Sequence, residues 1–236
     1  MTATRQIPTW VPAVVVGVAA LLEWSQVGEM AAEPVPLAQV RANDEITVTD
    51  APEGIVLAPV DGGSEQGLVF IPGAKVDPWA YAAVLQGVAA EGTTVVITRP
   101  WLNLAFFDPR GLDAFTSAAP DVSSWAVGGH SLGGVRACQL ASDADALVLF
   151  GSYCATDLSA TDLPVLSLSG SEDGLSTPQK IADAREQLPA DAEMVQIDGA
   201  AHASFGDYGP QDGDGSPTLT DAEMHAEVTS LLAPFL

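Results

Sequence analysis

Three residues of this sequence have the types and the order that covalent hydrolysis requires. Ser131 lies in Gly129-His-Ser-Leu-Gly133, between a short apolar run and a helix-like pattern. This G-x-S-x-G spacing is typical of a nucleophile elbow, a tight strand-to-helix turn in which glycines avoid crowding around a strained serine. Asp173 and His202 follow it in the order expected of an acid and a general base. The sequence therefore predicts a catalytic triad.

Each partner of the serine has competitors in the chain. Glu172 directly precedes Asp173 in a Gly-Ser-Glu-Asp-Gly loop and is the alternative acid. His130 is adjacent to the nucleophile in sequence, and its side chain is expected to point away from it. His225 falls in the last predicted helix, where a surface or packing role is expected. His202 is the preferred base because it follows the last predicted strand, at the sheet edge where ligands bind.

The oxyanion of such a reaction needs two backbone donors, one after the nucleophile and one after an earlier strand. The sequence assigns these donors to the N–H groups of Leu132 and Ala74, the latter in Pro72-Gly-Ala-Lys75. Four further residues near the predicted strand ends are candidates for substrate binding. They are Lys75, Asn103, Tyr153 and Phe205.

Charge and cysteine content exclude several functions. Against 31 Asp and Glu there are 8 Lys and Arg, a formal charge of −23, which argues against nucleic acid as a partner. Cys138 and Cys154 have no metal-ligand spacing, so no zinc or redox site is expected there. The predicted chemistry implies no metal and no organic cofactor. The two cysteines could form one disulfide, but because Cys138 falls in a predicted helix, buried free thiols are the favoured expectation. Nothing in the sequence specifies an oligomeric state.

The N-terminal part differs from the rest of the chain. Residues 7–22 carry no charge, although the run is slightly short for a membrane span and contains two prolines. A membrane anchor is favoured; a cleaved signal and a buried element of the domain are alternatives. An Ala-, Glu- and Pro-containing linker is expected at about residues 30–37, and the predicted division is residues 1–33 for the N-terminal segment and linker, and 34–236 for a catalytic domain. The expected location is membrane-anchored with an external catalytic domain, or secreted; the alternative is cytoplasmic.

Residues 45–236 alternate between strand and helix patterns, and several strands are continuous apolar runs typical of a sheet buried on both faces. This predicts an α/β fold with a mostly parallel, doubly wound sheet flanked by helices. The segment between Phe150 and Leu163 is too short for a large lid domain. Predicted strands cover 45–49, 54–59, 67–72, 93–98, 125–128, 146–150, 163–168 and 193–198; predicted helices cover 78–91, 111–118, 132–142, 177–187 and 220–232, the last with Asp221 as a possible N-cap.

These segments resemble the α/β-hydrolase superfamily, and most closely its small lidless bacterial branch, the fold-5 group. The similar segments are Phe70-Ile-Pro-Gly-Ala-Lys-Val-Asp-Pro-Trp-Ala-Tyr81, Leu102-Asn-Leu-Ala-Phe106, Gly128-Gly-His-Ser-Leu-Gly-Gly134, Gly170-Ser-Glu-Asp-Gly174 and His202-Ala-Ser-Phe-Gly-Asp-Tyr-Gly209. Ala74 stands where the group usually has a second glycine. The resemblance implies hydrolase chemistry and favours the anchor, since similar members often carry one.

Together these observations predict a serine hydrolase that cleaves a small carboxylic ester through an acyl-enzyme on Ser131. A thioesterase or a lipid-directed hydrolase of the same mechanism is the alternative within this chemistry. A non-catalytic scaffold that acts as a binding protein is the alternative from a different class.

Overall fold

A mostly parallel sheet of eight strands carries the candidate site in this computed structural model, which describes residues 28–63 and 65–236. The strands are β1 (Ile46–Asp50), β2 (Gly54–Pro59), β3 (Gln66–Ile71), β4 (Thr94–Thr98), β5 (Ser124–His130), β6 (Ala146–Phe150), β7 (Val165–Gly170) and β8 (Glu193–Ile197). They lie in the order β1-β2-β4-β3-β5-β6-β7-β8. β1 and β2 form an antiparallel hairpin and β2 runs antiparallel to β4, whereas the other neighbours are parallel. The predicted α/β fold is confirmed.

Six α-helices flank this sheet in the described part of the chain. They are α1 (Pro34–Ala42), α2 (Ala82–Ala90), α3 (Asp113–Thr116), α4 (Leu132–Leu140), α5 (Pro178–Asp183) and α6 (Asp221–Leu232). Short 3-10 helices cover Pro78–Tyr81, Trp101–Asn103, Ala105–Phe107, Ala141–Asp143, Arg185–Gln187 and His202–Phe205. The first of these precedes α2, and its N-cap is Asp77, whose carboxylate accepts from the Trp79 N–H at 3.0 Å.

The sheet is buried on both faces. Along β3, Leu68 and Phe70 belong to one core cluster, whereas Val69 and Ile71 belong to the other. Helices α1, α2 and α6 contribute to the first cluster, and α3 and α4 to the second. Successive side chains of a strand point to opposite faces, so the continuous apolar runs in the sequence follow directly from this two-sided burial.

Three local expectations from the sequence are wrong. The region predicted as a linker over 30–37 contains the start of α1, because Pro34 occupies a first-turn position that needs no N–H donor. The N-cap of α6 is Thr220, not Asp221. Its hydroxyl accepts from the Glu223 N–H, and the Glu223 carboxylate accepts from the Thr220 N–H in return, which forms a capping box.

The third correction concerns the cysteines. Cys138 and Cys154 form a disulfide, although buried free thiols were expected. The bond joins α4 to the segment that follows β6. The sequence pattern missed it because it could not show that these two segments, 16 residues apart, bring their Cα atoms within 5.6 Å of each other.

The apolar run at residues 7–22, predicted as an anchor, lies outside the described residues. Within 28–63 and 65–236, none of the helices has the length and apolar character needed to cross a bilayer.

Candidate active site

The predicted nucleophile lies at a strained turn between β5 and α4. Ser131 has φ 52° and ψ −121°, a conformation that a residue with a side chain rarely adopts. Two hydrogen bonds stabilise it: the Ser131 N–H donates to the Phe150 carbonyl at 3.0 Å, and the Ser152 hydroxyl donates to the Ser131 carbonyl at 2.7 Å. The Ser131 side chain remains partly exposed. This is the geometry that the G-x-S-x-G spacing predicts.

Glycine after the nucleophile allows α4 to lie directly against β3. A Cβ atom at Gly133 would overlap the carbonyl oxygen of Ile71. Only a residue without a side chain permits this approach, which brings the first turn of α4 next to the loop after β3. The two predicted oxyanion donors are in these two segments.

The predicted acid and base form a buried pair. His202 Nδ1 and Asp173 Oδ2 are 2.8 Å apart, and both side chains are almost completely buried. The other carboxylate oxygen of Asp173 accepts from the N–H groups of Leu175 at 2.8 Å and Ser176 at 2.7 Å. Because the carboxylate only accepts, Nδ1 of His202 carries the proton and Nε2 keeps its lone pair. Glu172, the alternative acid, is exposed.

The ends of four neighbouring strands meet at this pair. Gly151 directly follows β6, and a Cβ atom there would lie 3.1 Å from Asp173 Oδ2 and 3.2 Å from His202 Nδ1. Its φ of 47° also favours glycine. The preceding residue, Phe150, accepts the N–H of Ser131. The structure thus brings all three predicted triad residues to one junction.

His130 is part of this junction, which sequence reasoning missed. Its ring is buried, and its centroid lies 4.4 Å from that of His202. The Gly73 N–H donates to the Tyr81 hydroxyl at 2.9 Å, and this hydroxyl is also hydrogen-bonded to His130 Nδ1 at 2.9 Å. Nε2 of His130 approaches the His202 backbone but makes no hydrogen bond within the described residues. A buried-tyrosine partner has no signal in the sequence pattern.

Burial decides the protonation of these two side chains. Burial raises the pKa of Tyr81, so its hydroxyl stays protonated and can donate. Burial, and then the neighbouring His202, lower the pKa of His130 well below its ordinary value. The His130 ring is therefore neutral, and it packs against the ring of His202.

The two predicted oxyanion donors have no backbone acceptor in the described part of the chain. In the loop after β3, the N–H of Gly73 bonds to Tyr81, that of Lys75 to the Asn103 carbonyl at 2.8 Å and that of Val76 to the Gly73 carbonyl at 3.3 Å. Among the described residues, neither Ala74 N–H nor Leu132 N–H has such an acceptor. Both residues are partly exposed. Their N–H groups are thus available to a bound oxyanion.

The predicted substrate-binding residues fall into two groups. Lys75 and Asn103 are partly exposed and have positive φ angles of 62° and 54°, and Tyr153 is 38% exposed shortly after Gly151. Phe205 is fully buried, and its ring packs against Phe150 and His130. Phe205 therefore has no exposed surface with which to contact a substrate.

Three exposed aromatic side chains lie in the segment after β4. Trp101 is 56% exposed, Phe106 71% and Phe107 53%. This segment is joined to the oxyanion loop by the Lys75–Asn103 hydrogen bond, and its second 3-10 helix packs against α4. We call these three residues the aromatic rim of the site.

One cluster of acidic residues in the described part of the chain could hold a metal ion. Glu33, Asp207 and Asp221 can bring one oxygen each within 4.8 Å of one another. Asp207 is already paired with His225 Nε2 at 3.1 Å, which gives His225 the packing role expected from the sequence. None of these carboxylates belongs to the triad.

Comparison with known proteins gives the same fold. The sequence matches the model of the alpha/beta hydrolase family over residues 67–226, which is more than half of the chain and includes all three triad candidates. The chain therefore belongs to the alpha/beta hydrolase family, which supports hydrolase activity. The esterase domain of a Rhodothermus marinus protein is similar in structure, with a TM-score of 0.60 and 16% identity over 80% of this chain and 97% of that domain. No curated protein sequence gives a significant match.

Proposed function

We propose that this protein is a serine hydrolase that cleaves a carboxylic ester through an acyl-enzyme on Ser131. The observation that carries this proposal is the buried Asp173–His202 hydrogen bond of 2.8 Å, next to a serine held in a strained turn. Strained backbone persists only where the surrounding structure enforces it, and it clusters at active sites. A buried acid–histidine pair beside such a serine is the arrangement required for nucleophilic catalysis.

In the proposed reaction, Ser131 Oγ attacks the ester carbonyl carbon as its proton passes to His202 Nε2. Asp173 keeps the proton on Nδ1 and stabilises the imidazolium that forms. The C–O bond to the alcohol then breaks, and the His202 proton goes to the leaving oxygen. Water attacks the acyl-enzyme, with His202 again as base. The carboxylic acid leaves and Ser131 recovers its proton.

The N–H groups of Ala74 and Leu132 are the proposed donors to the oxyanion. Loss of one such donor raises the barrier by roughly 3–4 kcal/mol in hydrolases of this kind. Ala74 in place of a second glycine keeps the backbone donor, and the bonds of Gly73 and Lys75 hold it in place. The loop is therefore organised before substrate binds.

The direct test is Ser131→Ala. We expect turnover of a short p-nitrophenyl ester to fall roughly 10⁶-fold, because the nucleophile is gone. A fluorophosphonate probe should label the unmodified protein and not the variant. Ser216→Ala, which changes an exposed serine in the loop before α6, is the matched control and should keep both signals. Ester turnover that survives Ser131→Ala would contradict the proposal.

The aromatic rim supports a more specific proposal about the substrate. Trp101, Phe106 and Phe107 expose apolar surface beside the oxyanion loop, which suits an apolar acyl or alcohol group. A lipid-directed hydrolase is the second candidate function on the same observation. With p-nitrophenyl esters of increasing acyl length, Phe106→Ala should lower kcat/KM several-fold for long chains and leave acetate unchanged. Val60→Ala, at an exposed apolar residue after β2, should change neither.

We also propose that residues 7–22 anchor the protein with its catalytic domain outside the cytoplasm. The Met30 N–H donates to the Lys75 carbonyl at 2.7 Å, so the first described residues lie beside the oxyanion loop. The Cys138–Cys154 disulfide supports an oxidising compartment. Fractionation of cells that express the chain with and without residues 1–30 tests this: only the full chain should sediment with membranes.

A further inference from the structure

Asp214 lies outside the triad, in the Gly- and Asp-rich loop that precedes α6. Its carboxylate accepts hydrogen bonds from four backbone N–H groups. Oδ1 accepts from the N–H groups of Gly174 at 3.0 Å, His202 at 3.0 Å and Gly215 at 2.7 Å. Oδ2 accepts from the N–H of Ala203 at 2.8 Å. Hydrogen bonds to an ionised carboxylate are roughly twice as strong as neutral ones.

Three of these donors, those of Gly174, His202 and Ala203, belong to the two loops that supply the acid and the base. Gly174 directly follows Asp173 in the loop after β7, and His202 begins the 3-10 helix after β8. The two loops are 29 residues apart in sequence at the Asp173–His202 bond. One side chain from a third segment thus binds both loops, which are also joined directly by the bonds from the Glu172 N–H to the Ala200 carbonyl at 2.9 Å and from the Gly199 N–H to the Ser171 hydroxyl at 2.8 Å.

The segment around Asp214 packs directly against the acid loop, and the two backbones are in contact. A Cβ atom at Gly215 would overlap the Glu172 carbonyl oxygen, and one at Gly174 would lie 2.8 Å from the Gly213 carbonyl oxygen. Side chains at these positions would separate the two segments. The glycines therefore allow the Asp214 carboxylate to reach donors on both sides.

We propose that Asp214 is a positioning residue that keeps the Asp173–His202 hydrogen bond in register. This inference rests on the proposed function. Without the carboxylate, four N–H groups lose their acceptor and the two loops lose their only shared side-chain partner within the described residues. A shift of about 1 Å in catalytic geometry can lower a rate by about 10²-fold.

The test is Asp214→Ala, measured by steady-state ester kinetics and by proton NMR of the free protein. We expect kcat to fall roughly 10- to 100-fold with KM within about twofold, because registration of the base affects chemistry more than ground-state binding. The far-downfield resonance of the His202 Nδ1 proton should weaken or move upfield. A purely structural role would lower the Tm and leave that resonance and the kcat of the folded protein unchanged.

Asp212→Ala is the matched control, since it removes an exposed carboxylate from the same loop; it should behave as the unmodified protein. Asp214→Asn keeps one acceptor oxygen, so we expect an intermediate resonance shift and a smaller loss of kcat. If Asp214→Ala does not fold, Asp214→Asn decides: an unchanged resonance and kcat would overturn the proposal, as they would for a folded Asp214→Ala.

The NMR readout requires no substrate, so it separates this proposal from the proposed function. A protein that shows the downfield resonance and loses it in Asp214→Ala, but that neither turns over esters nor reacts with fluorophosphonate, would contradict the proposed function and support the positioning role. Normal ester turnover in a folded Asp214→Ala variant would overturn the positioning role and leave the proposed function intact.

Discussion

The two halves of the candidate site are held in place by different means. The nucleophile half comprises the loops after β3, β4 and β5 together with α4, and the acid–base half comprises the loops after β7 and β8 together with loop 206–216. Among the described residues, every non-glycine residue with positive φ lies in the nucleophile half. These residues are Lys75, Leu102, Asn103 and Ser131. The acid–base half has no such strain outside its glycines.

Instead, the acid–base half is organised by carboxylates that accept backbone N–H groups. Asp173 binds Leu175 and Ser176, and Asp214 binds both loops. Strain in the nucleophile half has to be opposed by packing and by covalent links, whereas charge in the acid–base half acts directly on the base. Apart from replacement of the nucleophile Ser131 itself, substitutions in the nucleophile half should therefore mainly affect stability, and those in the acid–base half should mainly affect chemistry.

Apart from replacement of the nucleophile Ser131, the largest expected effect on turnover is in the acid–base half. In Asp173→Asn the single amide oxygen can still accept from Leu175 and Ser176, but the amide nitrogen faces His202 Nδ1 and forces the proton onto Nε2. The base is then lost, and kcat should fall about 10⁴-fold with little change in Tm. Glu172→Gln, at the exposed neighbour, should keep full activity. Equal losses in the two variants would contradict the assignment of Asp173.

The next effect, at the disulfide that joins α4 of the nucleophile half to the segment after β6, should be mainly on stability. Replacing both Cys138 and Cys154 by serine removes a cross-link across 16 residues, which should lower the free energy of unfolding by about 3 kcal/mol. Turnover by the folded variant should stay within about threefold. Urea unfolding with and without reductant measures this: reductant should destabilise the unmodified protein and have no effect on the double variant.

A smaller effect is expected at Tyr81, whose hydroxyl is hydrogen-bonded both to the Gly73 N–H in the oxyanion loop and to the ring of His130. Tyr81→Phe leaves the Gly73 N–H and His130 Nδ1 without partners in a buried site, at a cost of about 2 kcal/mol of stability. Tyr208→Phe is the control, because its hydroxyl donates only to the partly buried Gln211. If both variants lose the same stability, the Tyr81 bridge adds nothing to this half.

The sequence predicted the parts of this site that follow from periodicity and chain order. The apolar runs predicted the strands, and Ser131, Asp173 and His202 each follow the end of a strand. Parallel strands bring those ends to one edge, so local patterns were sufficient. Phe205 lies equally close to a strand end in sequence, but it points into the core, which a loop without periodicity cannot reveal.

Contacts that depend on the tertiary arrangement could not be predicted in this way. Asp214 is one of several acidic residues in a loop rich in glycine, and nothing local separates it from Asp212. The Cys138–Cys154 pair depends on the distance between α4 and the segment after β6. His130 follows the alternation of β5, but its role depends on Tyr81, which lies 49 residues earlier. Each of these requires the packed fold.

The smallest expected effect is on the pH dependence of stability, through His130. Burial, followed by the neighbouring His202, lowers the pKa of His130, so below about pH 6.5 the unfolded chain binds a proton that the folded protein does not. The contribution of His130 to the free energy of unfolding is therefore fully present above that pH and is lost as the pH falls below it. His130→Asn should flatten the measured curve of stability against pH, whereas Tyr81→Phe, which keeps the ring buried, should retain the slope. Parallel curves for His130→Asn and the unmodified protein would mean that His130 is not a buried neutral ring.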